Sequence, residues 1–266
     1  MKKSSLPGTF KASTKDGRIY YRATITKNSK HISLGSYDTE HNAHLAYMCA
    51  NELLSESCTY SVDDYNADSP LLFEKWVCLI NFRDNGIYIK NPVYLKNGYF
   101  IYYINKEEYY LFDIDDLFYY AEHKIMKRGN HLFVADYGMQ INILSRYGIK
   151  NYARPGIDYE FVNQNSYDFR KENIRLINCY IGVNIEIKQH HTKYVAKLHI
   201  RSNYIIGRYD SDIEAAIAYN KAVDIVKSNG CTKNFQTNYI EPLPASQYAD
   251  IYQKLKISDT IYKLTF

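Results

Sequence analysis

The chain has 266 residues, of which 46% are hydrophobic and 23% charged. This balance is typical of a soluble folded protein and excludes a largely disordered one. No apolar run approaches the roughly 20 residues of a transmembrane helix, and no apolar stretch follows the first lysines, so we expect no membrane partner and no signal peptide. The net charge of +4 is too small to identify a nucleic-acid-binding protein by itself.

The five cysteines are scattered and never form a C-x-x-C pair. We therefore expect free thiols in a reducing compartment, with no cofactor and no zinc site. That compartment is the cytoplasm, at the nucleoid, for a bacterial or phage protein, and the nucleus for a eukaryotic one. His190 and His191 are not expected to bind a metal together, because adjacent residues of a strand point to opposite faces.

Charge is unevenly distributed along the chain. Residues 1–60 and 181–240 each carry a net charge of +3, whereas residues 61–130 carry −3. Two basic segments therefore flank an acidic one. Basic segments are typical of surfaces that bind nucleic acid, although chance also allows differences of this size.

An internal repeat relates the two basic segments. LGSYDTEHNAHLAYMCA begins at Leu34 and IGRYDSDIEAAIAYNKA begins at Ile206, with an offset of 172 at each matched position. Upstream, YRATI (21–25) matches YVAKL (194–198) at an offset of 173. A one-residue gap confined to the turn between the two matches is what a duplicated hairpin predicts.

Each copy predicts three antiparallel strands followed by one helix. In the second copy we predict strands over 182–186, 193–200 and 203–209. The helix that follows is predicted to begin at Asp212, after a cap at Asp210 or Ser211, and to end at Gly230. In the first copy the cap is expected at Asp38 or Thr39. Alanines and a tyrosine at helical spacing predict the stripe that packs on each sheet: Ala43, Ala46, Tyr47 and Ala50, then Ala215, Ala218, Tyr219 and Ala222.

Alternation along the strands divides each sheet into two faces. Ala23 and Ile25, like Ala196 and Leu198, are expected to face the helix, with Val195 on the opposite, outward face. In the first copy we expect polar residues on or beside the outward face: Lys11, Arg18, Arg22, Thr24, His31 and Ser33. In the second copy we expect there Asn184, Lys193, Lys197, His199, Arg201, Ile205 and Arg208.

The outward faces match the width and chemistry of the DNA major groove, which admits β-structure. Lysine and arginine neutralise phosphates, and Thr24 or Ile205 is placed to touch a thymine methyl group. A sheet face that simply meets solvent is the alternative interpretation.

The repeated pattern resembles the Apetala-type DNA-binding domain, the ethylene-response-factor module of plants that also occurs in phage and mobile-element endonucleases. The residues that carry the resemblance are the aromatic-x-A-x-I stretch, L-G-x-Y-D-T/S and E-x-A-x-x-A-Y. It covers about 50 residues of the second copy and the matching part of the first. The resemblance implies that each three-stranded sheet docks in the major groove of duplex DNA.

The segment PGIDY…NSYDFRKENIRLIN is similar to the HNH motif of phage homing endonucleases. The resemblance implies a general base beside Asp158 and a metal held by carboxylate and late Asn or His ligands. Here the base position is Tyr159, a phenol that is mostly protonated at neutral pH, and Asn142 stands where a second histidine is usual. We therefore expect no catalytic residue, with Asp158 and Asn173 as vestigial ligands. Three bases in a helix-like stretch are candidates for phosphate contact: Arg170, Lys171 and Arg175.

These observations predict an α+β protein with two sheet-and-helix modules around a degenerate HNH-like centre. The expected divisions are a first module (1–60), a linker or adaptor (61–90), the HNH-like domain (91–180), a second module (181–240) and a tail (241–266). The tail predicts a helix near 245–255 that packs on the second module or forms a homodimer. The predicted function is sequence-specific binding of double-stranded DNA, as a transcriptional regulator derived from a mobile-element endonuclease. An active homing or nicking endonuclease, and a module that binds an acidic protein, are the alternatives.

Overall fold

The computed structural model describes the whole chain except Met1, Ser4, Tyr152, Gln189, His190 and Pro242. It also does not describe the side chains of Lys2, Lys3 and Lys188. The chain divides into two compact units. The first is Met1–Ser145 with Asn163–Asn173, and the second is Arg146–Val162 with Ile174–Phe266. The predicted boundaries at residues 60, 90 and 180 do not coincide with this division. Within the described residues, no helix is long and apolar enough to cross a membrane.

The first unit begins with an antiparallel sheet in which the strands are paired in chain order. Its strands are β1 (Lys2–Lys3), β2 (Thr9–Ser13), β3 (Ile19–Lys27) and β4 (Lys30–Tyr37). The sheet therefore has one more edge strand, β1, than predicted. Helix α1 (Glu40–Leu53) follows, and the Thr39 side chain accepts a hydrogen bond from the Asn42 amide, as expected of an N-cap.

Residues 61–90, predicted as a linker or adaptor, contribute a helix to the first core. Helix α2 (Phe73–Asn85) lies within them, and its residues Trp76, Val77 and Leu79 are buried in the same core as Ala23 and the α1 alanines. The Trp76 indole also donates to the Ser61 carbonyl at 3.0 Å. Helix α2 packs against α1 and against the strand Val93–Leu95, so it extends the core of the first sheet beyond α1.

The rest of the first unit consists of two small antiparallel sheets and a short helix. These elements are β5 (Val93–Leu95), β6 (Tyr99–Tyr103), β7 (Tyr109–Asp113), α3 (Leu117–Glu122), β8 (Ile125–Arg128), β9 (His131–Asp136) and β10 (Met139–Asn142). Stacked and tilted rings of Phe100, Phe112 and Tyr120 fill the space beneath β6 and β7. Phe100, Phe112 and Tyr120 are therefore core residues, whereas Phe118 and Tyr137 of the same region are exposed.

The second unit contains a two-stranded ribbon, a three-stranded sheet and three helices. They are β11 (Tyr159–Phe161), β12 (Ile174–Leu176), β13 (Val183–Lys188), β14 (His191–His199), β15 (Asn203–Tyr209), α4 (Asp212–Ser228), α5 (Ala245–Lys254) and α6 (Asp259–Tyr262). The prediction of a helix-like stretch over 168–176 was wrong. It is a 3-10 turn, Lys171–Asn173, followed by strand β12.

The two repeat copies have the same topology, and the α+β class is confirmed. In each, three consecutive antiparallel strands precede a helix whose alanine stripe is buried. The pairing shifts by one residue after Ala23 in the first copy and after Ala196 in the second. Since a bulge of this kind follows the local sequence, its recurrence supports a duplicated unit.

The C-terminal tail packs on the second copy. Tyr248, Ile251 and Leu264 lie against the core beneath α4, and Ile261 is fully buried. Lys221 of α4 donates to two carbonyls of the tail, including that of Leu255 at 2.9 Å. Much of the apolar surface of the tail is therefore used within its own unit, and the homodimer through the tail stays a prediction.

Candidate nucleic-acid interface

The strand register of the second copy determines which side chains share the outward face of its sheet. Asn184, Val195 and Arg208 are direct neighbours across the three strands. Lys197 is opposite Ile205 in the row toward the β14–β15 turn. Because directly opposite residues point to the same side of a sheet, these residues lie on the face away from α4. His199, opposite Asn203, and Lys193, opposite Glu186, complete that face as predicted.

Two of the cations on this face are neutralised locally. Lys193 is paired with Asp210, and Arg208 is paired with Glu186 at 3.3 Å. Lys197 and the exposed Arg201 form no ion pair with any residue that the structure describes. Among the described side chains of this face, the cations without an ion pair therefore lie near the β14–β15 turn.

A further lysine joins this end of the sheet. The Lys233 ammonium donates to the carbonyl of His199 at 2.9 Å, and the His199 ring contacts the Asn203 side chain at 3.0 Å. Sequence reasoning missed Lys233, because it lies in an irregular segment after α4 and no pattern there points to the sheet. Lys197, Arg201 and Lys233 together form what we call the basic turn.

Val195 departs from the expectation for this face. It is fully buried, although it does not belong to the core packed against α4. It occupies the position of Arg22 in the first copy, and Arg22 is exposed. The apolar contact available to a ligand on the second face is therefore Ile205, which is 43% exposed.

The strand residues predicted for the outward face of the first copy all lie on that face except one. Arg22 lies between Phe10 and Ser36, while Thr24 is opposite Ser33 and Thr26 is opposite His31. Lys11 was placed wrongly. It is opposite Tyr21, in the row of the helix-facing residues, because β2 pairs with β3 in a register that puts Phe10 on the outward face.

Both arginines of the first copy have partners. Arg18 pairs with Asp38 at 2.8 Å at the end of the sheet, where both side chains are largely exposed. The Arg22 guanidinium donates to the Tyr20 hydroxyl at 3.1 Å and lies 5.6 Å from the centre of its ring. Tyr20 therefore belongs to this face. Tyr20 precedes Arg22 by two residues, and residues two apart in a strand point to the same face, so the sequence alone could have placed it there.

Asp158, a predicted vestigial metal ligand, is part of the framework of the second unit. Its carboxylate accepts hydrogen bonds from the Arg154 amide at 2.8 Å and the Asn178 side chain at 3.0 Å. Its carbonyl accepts the amides of Ile177 and Asn178. These bonds join the segment just before β11 to the segment just after β12, at one end of the ribbon.

Asn173, the second predicted ligand, belongs to the other compact unit and is 2% exposed. Its oxygen accepts the Asn163 amide at 2.7 Å, and its amide donates to the carbonyls of Asn165 and Asp168. Both ends of the side chain are therefore used to close the 163–173 loop. This bracing explains why the stretch forms a tight turn instead of a helix.

Tyr159 and Asn142, the two residues at which the resemblance expects catalytic histidines, also have structural roles. Tyr159 is 5% exposed, and burial raises the pKa of its phenol above the ordinary value of 10.0. It is thus even less able to accept a proton at neutral pH than a tyrosine in water. The Asn142 oxygen accepts the Leu144 amide at 2.9 Å, at the start of a 3-10 turn.

The three predicted phosphate-binding bases are each paired with a carboxylate. Arg170 forms two hydrogen bonds to Asp168, at 2.9 and 2.7 Å. Lys171 lies 3.6 Å from Asp115, and Arg175 is paired with Glu160. Arg170 is the least available of the three, because Asp168 is buried and the arginine compensates its charge.

Asp168 has a perturbed acidity. Burial acts to raise the pKa of its carboxyl group, but hydrogen bonds from Arg170 and Asn163 outweigh burial and lower the pKa below 3.8. The carboxylate is therefore ionised at neutral pH. Among the described residues, no group of three His, Cys, Asp or Glu side chains is placed to hold a metal ion, and His190 lies outside them.

Comparisons with protein-family models, with curated proteins and with solved structures found no match.

Proposed function

We propose that the protein binds double-stranded DNA in a sequence-specific manner through the outward sheet faces of its two repeat copies. The observation that carries the proposal is the register of the second copy, which aligns Asn184, Lys197, His199 and Ile205 on one face. The basic turn extends this face. A short sheet with this chemistry fits the major groove.

The residues divide into two kinds of contact. The basic turn supplies cations that are not neutralised by a described carboxylate, and these serve for phosphates, which position a protein without reading sequence. Asn184 is suited to an adenine edge and Ile205 to a thymine methyl group. Arg208 shares its charge with Glu186, so it contributes less to nonspecific attraction.

The first copy offers a weaker version of the same surface. Arg22 is its main cation, and Lys11 is on the other face. Two modules on one chain raise the effective concentration of the second once the first has bound. We therefore propose that the second copy supplies most of the affinity and that the first adds length to the recognised site.

We propose that binding occurs without cleavage, as in a transcriptional regulator descended from a mobile-element endonuclease. Support comes from the buried phenol at the base position and from the hydrogen bonds that occupy Asp158 and Asn173. A side chain held in this way has to give up protein partners before it can take a ligand.

A fluorescence anisotropy titration tests the proposal. The full-length protein is titrated against labelled random genomic duplex over a series of salt concentrations, and in vitro selection from a random DNA pool follows. We expect the logarithm of the affinity to fall linearly with the logarithm of the salt concentration, and we expect an enriched sequence with two half-sites. No binding at low salt, or binding of an acidic protein with no DNA, contradicts the proposal.

A further inference from the structure

An apolar groove opens on the surface of the first unit, between α3 and the loop that follows α2. It encloses about 720 Å³. The helical spacing of Ile114, Leu117, Phe118 and Ala121 places an apolar stripe along one wall, and Ile87 lies on the other. Stripes of this kind normally face a core, but this one borders solvent.

Phe118 stands out in the groove because it is 88% exposed, and Ile87 and Ile114 beside it are 55% and 42% exposed. Tyr120, two residues after Phe118, is fully buried, so the short helix does have a core-facing side. The surface therefore has both a protruding side chain, Phe118, and an apolar groove beside it. Contiguous apolar surface of this kind marks a contact site.

The charges around the groove decide between occupants. Lys30 and Lys90 line it together with Asp115 and Glu122. Lys90 pairs with Glu122 and Asp115 pairs with Lys171 within one chain, so the rim carries little net charge to attract DNA or a strongly basic partner. A pair of opposite charges such as Lys90 and Glu122 can instead exchange partners with a copy of the same surface turned about a two-fold axis.

We propose that the groove is the site at which a second copy of this chain docks, in a symmetric dimer. Phe118 of each chain enters the groove of the other. The exposed pair Lys90–Glu122, 3.2 Å apart within one chain, is close enough to the groove for each partner to face the opposite charge of the other chain. The proposal concerns the first unit alone and is independent of DNA binding.

Sedimentation velocity of the full-length protein, without DNA and over a dilution series, tests the dimer. We expect the wild type to dissociate on dilution. Phe118→Ser, which removes an exposed side chain and so spares the core, is expected to weaken association at least tenfold. The matched control is Tyr137→Ser, which removes a 95% exposed aromatic residue elsewhere in the same unit and is expected to change nothing.

A charge exchange makes the test specific to a symmetric contact. Lys90→Glu alone and Glu122→Lys alone each place like charges across the interface, so each protein is expected to stay monomeric. An equimolar mixture of the two variants restores opposite charges at both contacts, and we expect heterodimers. A monomeric wild type at all concentrations, or association that Phe118→Ser leaves unchanged, overturns the proposal.

Discussion

Tyr219 of α4 lies against the backbone of Gly182, so closely that a Cβ atom on this glycine would be 2.1 Å from the tyrosine ring. The first copy has the same contact: a Cβ on Gly8 would be 2.1 Å from Tyr47. Both glycines have φ of 74°. Each also accepts a hydrogen bond from the central strand, at 2.9 Å from Thr24 to Gly8 and 2.7 Å from Lys197 to Gly182. The contact fixes helix and sheet together in both copies.

Gly182→Ala is expected to destabilise the protein by roughly 2–4 kcal/mol, because it adds a steric clash to an unfavourable backbone conformation. Urea unfolding followed by circular dichroism measures the change. Gly156→Ala is the control: its φ is 77° and a Cβ there meets nothing within 4 Å, so it is expected to cost about 1 kcal/mol. Equal losses for the two variants would show that the Tyr219 contact is unimportant.

Removing cations from the basic turn tests the proposed DNA interface. Lys197→Ala and Arg201→Ala are each expected to weaken binding. Each is also expected to reduce the magnitude of the negative slope of log affinity against log salt by about 0.9 if one phosphate contact is lost. Lys227→Ala removes the same charge from the last turn of α4 and is expected to leave the slope unchanged. If all three variants lose affinity alike, the attraction depends on net charge and not on this face.

Arg170→Ala is expected to cost about 3 kcal/mol of stability, because it leaves the buried Asp168 carboxylate without its cation. Arg175→Ala serves as the comparison. It breaks the more exposed pair with Glu160, which is expected to contribute less than about 1 kcal/mol. Denaturant unfolding of both variants at neutral pH measures the difference, and a comparable cost for the two would contradict the structural role assigned to Arg170.

The same variant predicts a dependence on pH. The folded protein lowers the pKa of Asp168, so its ion pair stabilises the fold above the unfolded pKa of about 3.9 and loses this effect as the pH falls through the folded pKa. The stability gap between wild type and Arg170→Ala is therefore expected to be full at neutral pH and to shrink below about pH 4. A gap that is constant down to acid pH would exclude this ionic contribution.

Asp158 and Asn173, predicted from the resemblance as vestigial metal ligands, are expected to affect stability and not catalysis. Supercoiled plasmid incubated with the wild type and Mg²⁺ or Mn²⁺ is expected to stay intact on an agarose gel. Asp158→Ala is expected to destabilise the fold by about 2 kcal/mol, since it removes the acceptor of the Arg154 amide and one of the two acceptors of the Asn178 side chain, which keeps the Val183 carbonyl. Nicking by the wild type that Asp158→Ala abolishes would establish the alternative, an active endonuclease.

Local patterns predicted the elements of the two repeats well. The N-caps are Thr39 and Ser211, both named as candidates from the sequence, and β15 has the predicted bounds. The tail helix is also close to its prediction. These features depend on residues that are near one another in the chain, where alternation, helical spacing and capping chemistry act directly.

Side-chain partners across the chain were beyond the reach of such patterns. Lys11 is on the helix face because of a pairing register that no alternation within β2 reveals. Val195 is buried and Lys233 joins the sheet through contacts that depend on tertiary packing. The predicted linker contributes α2 to a core for the same reason: its apolar run was visible, but its packing partner was not.

The amino-acid sequence by itself determined the duplication, the sheet-and-helix order of each copy and the chemical types of residue that alternate along the strands. All of these follow from spacing within short segments. Only the tertiary structure decided which cations have no carboxylate partner and which groups Asp158 and Asn173 bind through hydrogen bonds. It also decided that Phe118 lies outside the core. Charge neutralisation and burial depend on residues far apart in the chain, and folding brings these together at distances that no linear pattern records.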